Sequence, residues 1–162
     1  MIRNIALVAH DSRKQELYEW VKYNKEVLRQ FELYATGTTG RILNDVYLEQ
    51  TMDEKTGIIS TEYTKVITRL KSGPLGGDSQ IGAMISNGEV DCLIFFCDNL
   101  IVQGHNSDIM GLTRLASLYN VPFATNRTTA DMIISSPLFT DENYEPIIPH
   151  CIERYATRTV IE

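Results

Sequence analysis

The chain has 162 residues, 43% of them hydrophobic and 22% charged, with a formal net charge of -6 and a pI near 5.1. This length suits one domain that buries about 68–70% of the surface its unfolded form exposes, and the composition excludes a disordered chain or one that needs disulfide staples. So acidic a surface repels polyanions, so nucleic-acid binding is not expected, although a small anion can be held where a few donors converge.

In chain order, Asn4 to Ala9 reads as a buried strand. Its apolar part, Ile5 to Ala9, runs straight into His10-Asp11 and is too short for an export signal or a membrane span. Residues 13–31 carry Leu17, Trp20, Val21, Val27, Leu28 and Phe31 at spacings near three and four, which predicts a helix with one apolar face. A short strand follows at 33–35, then Thr36-Gly37-Thr38-Thr39-Gly40 and a helix from about Arg41. The pattern dissolves over 49–63, as expected of an insertion or a loose hairpin. A third strand at 66–70 leads into Ser72-Gly73-Pro74-Leu75-Gly76-Gly77-Asp78 and a helix over 79–87 that Gly88 ends. Cys92 to Cys97 is an apolar run fit for a central strand covered on both faces, with Asp98 at its end. A helix over 108–119, a fifth strand at 122–124 and a short helix over 129–135 complete the series.

Strands alternating with amphipathic stretches predict an α/β fold: one doubly wound, flavodoxin- or Rossmann-like sheet of five parallel strands with helices on both faces, spanning 1–162 as a single domain. Such sheets bind ligands at the carboxyl ends of their strands, where the polar clusters of this chain all fall. Three cysteines, Cys92, Cys97 and Cys151, are an odd number with no zinc-clip spacing. They are expected to be free thiols in a reducing, cytoplasmic setting, with no metal and no cofactor.

The two glycine-containing loops that join strands to helices suit an anion, because glycine admits close backbone approach and a helix start offers free N–H groups. Helix capping by Thr36, Thr38 or Asp78 is the competing reading of the same residues. His10, Asp11 and Lys14 follow strand one and reach the same rim, as do His105 and Asp108 further on. A phosphate cradle beside several carboxylates and histidines suits proton abstraction next to a carbonyl.

The segments I-A-L-V-A-H-D (5–11), Y-A-T-G-T-T-G (34–40), S-G-P-L-G-G-D (72–78) and A-T-N-R-T-T-A-D (124–131) together resemble the methylglyoxal synthase family, in order and over most of the chain. The resemblance implies a lyase that converts dihydroxyacetone phosphate to methylglyoxal and inorganic phosphate without metal or organic cofactor. It gives Asp78 the role of base and His105 that of polarising the carbonyl. Asp11, Asp98 and Asp108 would orient these groups, and Lys14, Thr36, Thr38, Thr39, Ser72 and Gly73 would hold the phosphate, with His10 beside them. It also implies a homohexamer controlled by inorganic phosphate, in which Arg158, or else Arg154, reaches a neighbouring subunit's site.

Two departures stand out. Thirty-one residues, 41–71, separate the threonine loop from Ser72, about one helix and a turn more than the family pattern, and N-L-I-V-Q-G-H-N-S-D (99–108) lacks the prolines expected there. The competing function is a non-catalytic regulatory module, like the effector-binding domain of carbamoyl phosphate synthetase. A phosphoryl-receiver domain fits less well, since His10-Asp11 and Asn126-Arg127 stand where it needs paired acids and a lysine.

Overall fold

The computed structural model describes residues 3–100 and 106–158, with the backbone alone at 106–108. Strands β1 (Asn4–Ala9), β2 (Glu32–Ala35), β5 (Thr68–Arg69), β6 (Cys92–Phe96) and β7 (Phe123–Ala124) form one parallel sheet in the order β5-β2-β1-β6-β7. The chain steps outward from β1 through β2 to β5, then returns to lay β6 on the other side of β1. This is the doubly wound arrangement expected, with its switch point between β1 and β6.

Alternation along the two central strands divides the core. Ile5, Leu7, Ile94 and Phe96 face Leu17, Trp20 and Val21 of α1 (Lys14–Tyr23) and Leu28 of α2 (Lys25–Leu28). The same layer takes Leu43 of α3 (Gly37–Asn44). Ala6, Val8, Leu93 and Phe95 face Ile81 and Ile85 of α4 (Gly77–Ser86) together with Leu112 and Ala116 of α5 (Asn106–Leu118). Helices therefore cover both faces. The remaining helices, α6 (Arg127–Ile134), α7 (Pro137–Thr140) and α8 (His150–Ala156), follow β7.

Several boundaries differ from the sequence expectation for local reasons. The helix expected over 13–31 breaks at Asn24, whose amide donates to the Trp20 carbonyl (2.9 Å) and draws its own backbone to φ -95°, ψ 15°. Helix α3 starts at Gly37 rather than near Arg41, because Gly40 N–H already donates to the Thr36 carbonyl (2.8 Å) and makes the threonine loop a first turn. Helix α4 likewise starts at Gly77, two residues early. Its end is as expected: Gly88 takes φ 73° and Glu89 N–H closes on the Met84 carbonyl (2.8 Å).

The stretch expected as an insertion or loose hairpin is a hairpin. Strands β3 (Leu48–Met52) and β4 (Ile59–Tyr63) pair antiparallel and apart from the main sheet. Its turn is closed by the Asp53 carboxylate, which accepts the N–H groups of Lys55 and Thr56 (2.8 and 2.9 Å) and is held below the usual carboxylate range by those bonds. At the base, Asn44 accepts Ile67 N–H (2.8 Å) and donates to its carbonyl (3.5 Å), doing with a side chain what a strand neighbour does with backbone. Lys25 and Arg29 tie the hairpin to α2 through Glu49 (2.7 and 2.6 Å), which lowers the Glu49 pKa.

Tyr47 is fully buried beneath the hairpin, and its hydroxyl has no hydrogen-bond partner among the described residues. Burial pushes its phenol from the ordinary 10.0 up to about 12. Between those values the folded chain keeps a proton that the unfolded chain has released, so stability falls as pH rises from 10 to 12. Urea denaturation of Tyr47→Phe should show a midpoint at pH 7 equal to or above wild type, since no bond is lost, and a shallower alkaline decline.

Candidate functional site

Every strand of the parallel sheet delivers its following loop to the same edge, and the loops after β1, β2 and β5 close there around a cavity of about 260 Å³. His10, Asp11, Lys14, Thr36, Thr38, Thr39, Ser72, Gly73 and Asp78 line it, against apolar walls from Val8, Ala9, Pro74 and Phe95. All nine polar positions are among those singled out from the sequence.

The first loop is fixed across the switch point. His10 is buried with its ring edge on Phe95 (centroids 5.1 Å apart), and its Nδ1 accepts the backbone N–H of Asp98 (2.7 Å). An accepting Nδ1 places the proton of the neutral imidazole on Nε2. Asp98 is itself anchored, accepting the Ser12 hydroxyl (2.5 Å) and Leu100 N–H (3.0 Å). The Asp98 backbone therefore fixes the histidine ring, and Asp98 is not among the described residues that line the cavity. Ser12 is the residue sequence reading passed over; between His10-Asp11 and Lys14 a serine carries no spacing signal of its own.

Lys14 opens α1 with a side chain only 16% exposed, and its ammonium donates to Asp11 and to the Thr38 hydroxyl (2.8 Å). One cation thus bridges the first loop and the second. In α3 the capping reading of the threonines is not what the structure contains. Thr36 stands at the N-cap position without a side-chain cap bond, and its buried hydroxyl instead meets that of Thr39 (3.4 Å). Helix geometry leaves the N–H groups of Thr38 and Thr39 without a carbonyl inside the helix, which makes them donors for an anion.

The third loop turns the carboxylate inward. Gly76 takes the N-cap position of α4 at φ 97°, a left-handed conformation suited to glycine, so Asp78 is not the cap but the second residue of the helix. The residue is 4% exposed. The carboxylate rests where a side chain on Gly73 would begin: a Cβ there would lie 3.0 and 3.2 Å from its two oxygens. A Cβ on Gly37 would lie 2.6 Å from Ser72 Oγ, and Gly37 N–H donates to the Lys71 carbonyl (3.0 Å), so the threonine and glycine loops meet along a tight seam.

His105 is outside the described residues, and Asp108 is placed only as the third residue of α5. Arg158 stacks on Tyr155 (3.7 Å to the ring centroid) and donates to its hydroxyl (2.7 Å), while Arg154 lies on α8; neither lines the cavity within one chain. Burial pushes the Cys97 thiol up to about 11 and the Cys92 thiol higher, so neither supplies a thiolate. Among the described residues no three His, Cys, Asp or Glu side chains gather to hold a metal ion, and no helix is long and apolar enough to cross a membrane.

Residues 16–125 match the family model described as an MGS-like domain. A methylglyoxal synthase of Leptospira interrogans is 47% identical over 147 residues, covering 91% of this chain and 88% of that protein. One from Coxiella burnetii is 44% identical over 159 residues, covering 98% and 99%. The crystal structure of methylglyoxal synthase from Elizabethkingia anophelis superposes with a TM-score of 0.79 at 36% identity, covering 99% of this chain and 94% of that one.

A Cβ on Gly77 would lie 2.0 Å from the Lys71 carbonyl oxygen, deep inside contact distance of the backbone, whereas one on Gly40 would meet first a side-chain atom, Arg69 Cγ, at 2.7 Å. Gly77→Ala should therefore cost about 3 kcal/mol or more in chemical denaturation, and Gly40→Ala clearly less.

Proposed function

The chain belongs to the MGS-like domain family, and from that membership we infer that it is a lyase converting dihydroxyacetone phosphate to methylglyoxal and inorganic phosphate. The observation that carries the reading is the meeting of the buried Asp78 carboxylate with two loops of hydroxyl and N–H donors in one cavity at the switch point. Relatives bearing the name of the enzyme match over nearly the whole chain. Nothing comparable favours a regulatory module that only binds an effector.

In the proposed reaction, Ser72, Gly73, Thr36, Thr38, Thr39 and Lys14 hold the substrate's phosphate. Asp78 takes a proton from the hydroxymethyl carbon, and the electron pair of that C–H bond moves toward the carbonyl to give an enediolate. The negative oxygen is met by a fixed donor, a role assigned to His105, while His10 serves with the phosphate-holding residues; preorganised donors of this kind are often the largest catalytic contribution. The hydroxyl on the deprotonated carbon then gives its proton to the departing phosphate and becomes the aldehyde, while the C=C pair shifts to the next carbon and the C–O bond to phosphate breaks. The enolate left behind takes up at its terminal carbon the proton that Asp78 removed and becomes methylglyoxal. Asp11 holds Lys14 in place and Asp98 holds His10, while Asp108 acts with His105. No metal or organic cofactor takes part.

The same reading makes 1–162 one domain with the hairpin inserted in it, working in the cytoplasm as a homohexamer that inorganic phosphate inhibits. Support comes from three free cysteines, from the outward apolar side chains Met52, Ile59 and Tyr63 of the hairpin, and from Arg158, exposed and available to a neighbouring subunit.

Purified protein should release phosphate and methylglyoxal in equal amounts from dihydroxyacetone phosphate. Asp78→Asn should lower kcat by about a thousandfold, in the range expected for loss of a general base, while still binding inorganic phosphate. Gly73→Ala, which crowds the carboxylate, should lower kcat more than it raises KM. An inert wild type, or an active Asp78→Asn, would overturn the assignment.

A further inference from the structure

A second hollow of about 260 Å³ lies along the seam between the threonine and glycine loops. It shares Thr38 and Ser72 with the substrate cavity, but its remaining walls differ: Arg41 from α3, Arg69 from β5 and Lys71 from the loop that follows. In the substrate cavity the cation is Lys14, already paired with Asp11. Here three cations stand around one space, and none of them forms an ion pair with a carboxylate among the described residues. Arg69 is not loosely placed, since its Cγ would lie 2.7 Å from a Cβ on Gly40, which means that its stem lies against α3.

Like charges gathered in one hollow raise one another's energy, and on a chain of net charge -6 there are many carboxylates with which they could instead have paired. A bound anion reverses the sign of that interaction. Guanidinium groups present several donors in a plane that matches the oxygens of a phosphate, and the Thr38 and Ser72 hydroxyls add neutral donors on the inner side. Leu70 is the one large apolar residue in the lining, so a ligand with a sugar or hydrocarbon body would find little to rest on.

We propose that this hollow is a second oxyanion site, distinct from the substrate cavity, and that it takes inorganic phosphate. Because the two sites share Thr38 and Ser72, an anion in one weakens the hold of the other. The site does not depend on the proposed reaction.

Equilibrium dialysis with labelled inorganic phosphate tests it. Wild type should bind two phosphates per chain at saturation. The variant Arg41→Ala/Lys71→Ala should bind one, as should Lys14→Ala, through loss of opposite sites. The charge-conserving Arg41→Lys/Lys71→Arg should keep both, which separates lost charge from lost fold. A wild type that binds one phosphate retained by Arg41→Ala/Lys71→Ala, or a double variant that still binds two, overturns the proposal. A single wild-type phosphate lost in that double variant and kept by Lys14→Ala leaves the second site standing and removes the phosphate subsite of the proposed reaction.

Discussion

How closely loops can approach one another at the carboxyl edge of the sheet governs everything built there, and three glycines set that approach. A side chain at Gly37 would strike Ser72, one at Gly73 would push on the Asp78 carboxylate, and one at Gly77 would overlap the Lys71 carbonyl. Without Gly37 the loops after β2 and β5 would stand apart by at least the width of a methyl group, and without Gly73 and Gly77 the loop after β5 could not fold back so closely on itself around Asp78. The threonine hydroxyls and the aspartate would then face two separate grooves. Glycine contributes here through the room it leaves as much as through backbone freedom, which matters chiefly at Gly76.

The opposite wall depends on polar bonds in place of tight packing. The switch point leaves a gap between the ends of β1 and β6, and the chain closes it with a relay from Ser12 to Asp98 to His10. Its outer member is a hydroxyl and its inner member an imidazole ring held edge-on to Phe95. Lys14 adds a third tie, joining this wall to α3 through Thr38. The cavity is therefore preorganised from two sides by different means, with its acid on the packed side and its histidine on the bonded one.

Much of this was legible in the sequence. The apolar runs at 5–9 and 92–96 can only be central strands of a covered sheet, and two glycine loops following strands put the polar residues on one edge. What could not be read was direction. An aspartate after two glycines either caps a helix or enters its first turn, and the choice was made by Gly76 turning left-handed, a property of the folded loop. The start of α3 was misplaced because Gly and Thr are weak helix formers; the bond from Gly37 to Lys71 and the buried threonine pair override that preference. The break at Asn24 was hidden because apolar spacing continues across it to Leu28 and Phe31.

The side chain of Asn44 has a longer reach than its two hydrogen bonds suggest. By binding both backbone groups of Ile67 it joins the chain to itself at the foot of the hairpin, so that the residues between are suspended from a closed loop. The entropy of closing such a loop grows only with the logarithm of its length. A longer or shorter hairpin hung from that closure can then be accommodated without moving β5 or the glycine loop.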